Sequence, residues 1–243
     1  LADAVETMRN QLEGRDYVER YVHTLTHEMK SPLSAITGAA ELLQGDLPTP
    51  QRERFATLVS GEAERLRQLV ERLLALAMVE QRRTPQEQRP VLIRQAVEER
   101  LASRAPTIAS KSLDVETRVT ADAAFLGEPF LIVQAIGNLM DNALDFTPAQ
   151  GKITVDADAV GQRWRLTVSN TGSAIPDYAR DRLFERFYSL PRPDTGRKST
   201  GLGLAFVKEV AQLHSGALMV ENQAGPDGTI IGVVAQLLLP AAD

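Results

Sequence analysis

Arg82-Arg83-Thr84-Pro85-Gln86-Glu87-Gln88-Arg89-Pro90 is the stretch on which the fold turns. It is polar and carries two prolines, and the patterning differs on its two sides. Upstream, Leu25, Leu33, Ile36, Ala40 and Leu43 keep helical spacing with charged residues in the gaps. Gly45-Asp46-Leu47-Pro48-Thr49-Pro50 interrupts that pattern with turn residues. A second helical stripe follows through Phe55, Leu58, Val59, Leu66, Leu69, Val70, Leu73, Leu74 and Ala77, backed by Arg and Glu. Two long amphipathic helices joined by a short loop cannot bury their stripes alone. Pairing two copies into an antiparallel four-helix bundle would, so the stripe predicts a homodimer.

Downstream the pattern alternates between helix and strand. The spacing predicts helices over about 91–104, after Glu128-Pro129, near Asp177–Phe184 and from Leu202 to Leu213. Strands are expected near Leu113–Val119, Gly151–Asp158, Arg163–Ser169, Ala217–Glu221 and Thr229–Leu239, the last two joined at Gly225-Pro226-Asp227-Gly228. The stretch Tyr188–Thr200, rich in Pro, Gly, Arg and Lys, reads as a mobile loop. The fold class is α+β: a dimeric helical hairpin, then an α/β sandwich with a mixed sheet.

Composition narrows the function. The net charge of −5 argues against a nucleic-acid surface. Without cysteine there is no disulfide, thiolate zinc site or cysteine nucleophile. No apolar run approaches the ~20 residues that cross a bilayer. The first residue is Leu, so the chain reads as a piece of something longer, with any membrane contact through an upstream segment.

His27-Glu28-Met29-Lys30-Ser31-Pro32 carries the chemistry of the first half. Pro32 removes one N–H and clashes with the carbonyl of Glu28, so the helix should be loosened beside His27. A neutral imidazole is a competent nucleophile near neutral pH. Glu28 could hydrogen-bond one ring nitrogen, although adjacent helical residues do not normally face each other. The alternative is a surface histidine beside a tolerated kink. His23 precedes His27 by one turn, but no third metal ligand is evident. His214, at a helix end before Ser215-Gly216, reads as a cation complementing the helix dipole.

In the second half, Asn138 and Asn142 share a helical face and offer amide oxygens suited to Mg²⁺. Asn170-Thr171-Gly172-Ser173-Ala174-Ile175-Pro176 forms a tight loop after a strand, where a flat ligand could pack. Lys198-Ser199-Thr200-Gly201-Leu202-Gly203-Leu204 opens a helix with glycines that let backbone N–H groups approach an anion. Phe184-Glu185-Arg186-Phe187-Tyr188 adds two core aromatics and a charge that packing leaves unexplained.

In this order the segments resemble the sensor histidine kinases of two-component systems, over nearly the whole chain. His27 through Pro32 is similar to the H box, Asn138 through Asn142 to the N box and Asn170 through Ala174 to the first glycine box. Phe184 through Tyr188 is similar to the F box and Gly201 through Leu204 to the second glycine box. Glu185 through Arg192, with Pro176 through Ala179, resembles the CreC-type kinases. The resemblance implies a membrane-tethered protein, of which this chain is the cytoplasmic portion. It implies the end of an upstream signalling helix at 1–16, a dimerisation and phosphotransfer domain at 17–83, a linker and hinge at 84–90, and a catalytic ATP-binding domain at 91–240. His27 would accept the phosphoryl group, Glu28 act as base, and Ser31 orient water in a phosphatase step. Asn142 with Asn138 would hold Mg²⁺, and Gly201 and Gly203, with Thr200, Leu202 and Leu204 around them, would cradle the phosphates of ATP. Lys198 and Arg186 would reach those phosphates, Asn170 meet the adenine amine, and Gly172 leave room for the base. The partner would be the receiver domain of a response regulator.

Three positions depart from the family pattern: Asn170 stands where Asp is usual, Ala174 replaces a glycine, and Asp145 stands where many members have Lys. They leave open weak ATP binding, a mainly phosphatase activity, or a non-catalytic dimeric scaffold. An ATP-hydrolysing relative outside the kinases would place Glu four residues before the metal-binding Asn, and Asn138 stands there instead.

Overall fold

The computed structural model describes residues 2–194, 196 and 198–242, with side chains from residue 22 onward in that range. The chain divides into two compact units, Leu1–Leu74 and Ala75–Asp243.

The first unit is a helical hairpin. Helix α1 (Ala2–Leu43) runs unbroken through Pro32, and α2 (Thr49–Glu80) returns after a loop in which Gln44 and Gly45 donate to the carbonyls of Glu41 and Leu42. The expected loosening at Pro32 is therefore a single absent backbone hydrogen bond inside a continuous helix. Few side chains are enclosed here: Pro32, Ala39 and Leu69 are buried. Leu33 (57% exposed) and Leu74 (61%) stand out in solvent, with Val22, Met29, Leu42, Leu58 and Val70 also exposed. Leu33, Leu58, Val70 and Leu74 of the expected stripes are thus left open.

The second unit begins inside α2, whose last residues Ala75, Leu76 and Val79 are buried. Strand β1 (Arg89–Leu92), helices α3 (Ile93–Ser103) and α4 (Ala105–Lys111), then β2 (Asp114–Arg118) and β3 (Ala124–Gly127) lead into helix α5 (Pro129–Phe146). Strands β4 (Lys152–Val160) and β5 (Arg163–Thr171), helices α6 (Asp177–Arg180) and α7 (Gly203–Leu213), and strands β6 (Ala217–Ala224) and β7 (Ile230–Pro240) complete it. The sheet order is β2-β4-β5-β7-β6, with β2 parallel to β4 and the other pairs antiparallel, while β1 and β3 form a separate ribbon. The mixed sheet is as expected. The ribbon and α4 are additions, and β1 starts within the polar stretch read as linker.

That stretch is also tied down. The Glu128 carboxylate accepts from Arg82 (2.8 Å) and from the backbone N–H of Gln86 (2.7 Å). Arg82 and Gln86 are thus tied to the start of α5, within the second unit.

Alternation in the strands puts Ile153 and Val155, Leu166 and Val168, and Leu237 and Leu239 on one buried face. Helix α5 presents Leu131, Ile132, Ala135, Ile136, Leu139, Met140 and Ala143 to the core, and α7 presents Phe206, Val207 and Val210. Pro129 at the first turn of α5 costs nothing, since that N–H has no helical partner anyway. His214 locks the two helices together: its Nδ1 bonds the Val210 carbonyl at 2.8 Å, and its Nε2 accepts from the Glu128 N–H at 3.0 Å. The imidazole is buried, and both nitrogens are used with only one carrying hydrogen. It is a neutral clasp, which corrects the reading of a cation at a helix end. Gly127 is required beside it, because a Cβ there would meet the ring at 2.4 Å.

Candidate active site

In the hairpin, His27 is exposed on α1, with Ser31 exposed one turn further on. Glu28 turns away from the imidazole: its carboxylate lies 3.8 Å from the Arg65 guanidinium on α2, which also lies 3.8 Å from Glu62. The pairing of Glu28 with His27 is thus not formed here, for the helical-geometry reason already given.

In the second unit, a cavity of about 310 Å³ opens between α5, α7 and the sheet. Its floor is apolar, with Val168, Val220, Val233 and Ala235 from the strands and Leu139, Ala143 and Phe146 from α5. Asn142, Asn170, Ala174, Gly201, Gly203 and Leu204 also line it.

Asn170, near the end of β5, is 7% exposed. Its Nδ2 donates to the Thr171 carbonyl at 3.1 Å, which partners the amide N–H that an aspartate would not have brought. A carbonyl oxygen at the rim of a flat apolar slot suits the exocyclic amine of a purine. The backbone here is crowded: a Cβ on Gly232 would fall 1.9 Å from the Asn170 carbonyl oxygen, and one on Gly172 would fall 2.8 Å from that of Phe146. Gly232 is a requirement the sequence did not reveal. So is Asn222 on β6, whose side chain accepts from the Ile175 N–H at 2.7 Å and donates to its carbonyl at 2.9 Å. That pair of hydrogen bonds holds the loop following Asn170 against the sheet.

At the other side, Gly203 begins α7, so the unpaired N–H groups of that helix start at the cavity wall. A Cβ on Gly203 would lie 3.8 Å from Asn138, which places Asn138 behind this glycine. Gly201 has φ +64, and a Cβ would come within 2.4 Å of the Phe187 carbonyl carbon. Phe187 itself has φ 61, and its N–H donates to the Gly201 carbonyl at 3.0 Å. The F-box and second glycine segments are thereby fastened backbone to backbone.

Other expected residues lie elsewhere. Leu202 is 1% exposed and belongs to the core. Arg186 is ion-paired with Glu80, whose carboxyl is pushed up by burial and then pulled down by that guanidinium. The charge that packing could not explain has a partner at the end of α2. Lys198 is exposed, and its backbone bridges Pro191 across the loop base. Gly172, Asn138, Arg186, Lys198, Thr200 and Leu202 do not line the cavity, whereas Tyr178, Tyr188, Pro191 and Pro193 do.

Among the described residues no cluster of three His, Cys, Asp or Glu could hold a metal, and no helix is long and apolar enough to cross a membrane.

These features match known proteins in both halves. A model of the His Kinase A (phospho-acceptor) domain matches residues 17–82, and one of the histidine kinase-, DNA gyrase B- and HSP90-like ATPase matches residues 127–241. Sensor protein CreC of Escherichia coli (strain K12) is 46% identical over 241 residues, 98% of this chain and 49% of that protein. The chain spans about half the length of the curated relatives first in similarity. Full-length ShkA in complex with AMPPNP superposes with TM-score 0.65 at 26% identity, covering 92% of this chain and 46% of that one. Histidine kinase ThkA in complex with response regulator protein TrrA gives TM-score 0.70 at 20% identity, a likeness of fold, over 98% of this chain and 66% of that one. With a phosphoacceptor hairpin ahead of an ATPase sandwich, the chain belongs to the sensor histidine kinases of two-component systems.

Proposed function

We propose that this chain transfers the γ-phosphoryl group of ATP to His27 and then passes it to an aspartate on the receiver domain of a response regulator. The observation that carries this reading is the cavity, an apolar slot with Asn170 at one side and Asn142 and the start of α7 at the other. Adenine fits the slot, with its amine donating to the Asn170 oxygen. The phosphates would meet Asn142, the glycine segment and the α7 N-terminus, where backbone N–H groups and the helix dipole favour anions. Mg²⁺ suits this donor set, since it binds through one or two protein oxygens plus phosphate oxygens and water. Asn142 would supply the protein share from the cavity wall, backed by Asn138 one turn before it behind Gly203, and the ion would neutralise phosphate charge. Phosphoryl transfer then needs mostly positioning. His27 offers a ring nitrogen on an open helix face, and the phosphoryl group bonds to it as the bond to ADP breaks.

The exposed apolar faces formed by Val22, Met29 and Leu33 on α1 and by Val70 and Leu74 on α2 support a homodimer through the hairpin. Ser31, on the same face as His27, supports a second activity in which its hydroxyl orients water toward a phospho-aspartate. We place the phosphotransfer domain at 17–83, the linker at 84–90 and the catalytic domain at 91–240, in the cytoplasmic portion of a membrane-tethered protein.

Incubation with γ-labelled ATP and Mg²⁺ tests the reading. Acid-labile, alkali-stable label on the protein is expected, absent from His27→Gln. Protein that binds nucleotide yet stays unlabelled, or label that survives the substitution, overturns it.

A further inference from the structure

Asp145 follows Asn142 by three residues on α5 and so lies on the same side of that helix. It is half-buried, and burial first, with Asp141 second, pushes its carboxyl up, while Arg192 pulls it down. A lone carboxylate there would repel a polyphosphate, but this one is not alone. The Arg192 guanidinium donates to it through one terminal nitrogen. The Nε of the same guanidinium is buried with no acceptor among the described residues. A buried N–H without an acceptor is costly, and guanidinium geometry matches phosphate oxygens.

The backbone around Arg192 is well held. Pro191 and Pro193 on either side both line the cavity, and each has a fixed φ. Asp194 pairs with Lys111 at 2.6 Å, and that ammonium also donates to the carbonyls of Leu144 (2.9 Å) and Thr147 (3.0 Å) at the end of α5. Ser189 and Ser199 bond across the loop base at 2.8 Å. The loop thus holds one arginine between two cavity-lining prolines, paired with an aspartate one turn beyond Asn142 on α5.

We propose that Arg192 binds the phosphate chain of the nucleotide and that Asp145 is its positioning residue. Lys198 and Arg186, the cations expected from sequence, stand exposed and paired with Glu80 respectively. Arg192 takes their place. This rests on the nucleotide reading above and adds to it which cation meets the phosphates.

Calorimetric titration of the chain with adenosine, ADP and ATP, each with Mg²⁺, tests the assignment. Arg192→Ala should weaken ATP by roughly 10- to 100-fold, ADP less and adenosine not at all. Arg192→Lys should restore part of the loss. In the Arg192→Ala background, Asp145→Asn should recover ATP affinity, because the carboxylate left behind repels phosphate. Equal weakening of all three ligands would mean that Arg192 only shapes the loop, and unchanged ATP affinity would mean that it meets no phosphate. Either result overturns the proposal. Wild-type protein that binds none of the three overturns the nucleotide reading itself.

Discussion

The two units bury their apolar residues to different extents. In the sandwich, Ile132, Ala135, Ile136 and Met140 of α5 are all fully enclosed against the sheet and α7. In the hairpin, comparable residues such as Leu33 and Leu74 remain more than half exposed. A sheet with helices on one face closes its own core. Two helices offer each other too narrow a contact and leave a stripe uncovered. One unit closes its core within a single chain, and the other leaves apolar side chains open for the proposed homodimer to cover.

The comparison can be broken at its chemistry first. His27→Gln should remove all acid-labile phosphate while ATP binding, read by calorimetry, keeps its wild-type affinity. A joint loss would mean that the two units do not divide the work. The next effect concerns assembly. Leu33→Glu should convert a dimer into a monomer by light scattering, and the far-ultraviolet signal of the sandwich should survive. A dimer that persists would locate its interface elsewhere. Within the sandwich, Ile136→Ala should cost about 2–5 kcal/mol in denaturant unfolding, because the enclosed site cannot collapse around the lost methyl groups. The smallest effect sharpens the site: Asn222→Ala should cost about 1–3 kcal/mol by removing both bonds to Ile175. It should also weaken adenosine binding in the same titration, because the loop beyond Asn170 loses its anchor. Unaltered adenosine affinity would reduce Asn222 to a purely structural role.

What could be read from sequence follows from how local each signal is. Helices α5 and α7 announce themselves through 3.6-residue spacing, with Pro129 at the start of one and Gly216 shortly after the other. His27 stands out in the sequence because its motif is contiguous. Strands β1 and β3 were missed because each has four residues, and Arg89-Pro90 has the composition of a linker. The partners of Arg186, Arg192 and Asn222 could not be read for a related reason. Arg186 finds Glu80, Arg192 finds Asp145 and Asn222 finds Ile175 across long separations in the chain. No local pattern encodes such a pair. Asn170 was the reverse case. The sequence singles the residue out and it lines the cavity, but the partner of its amide, the neighbouring Thr171 carbonyl, could be seen only in the fold.

The clasp formed by His214 has a practical consequence for chemical labelling. An acylating reagent needs an accessible ring nitrogen with a free lone pair, and the only such lone pair on His214 is engaged by the Glu128 N–H inside the core. Carbethoxylation of the folded chain would therefore mark only His23 and His27, both exposed on α1. Of the chain's three imidazoles, the reagent would sort the two facing solvent from the one that fastens the sandwich.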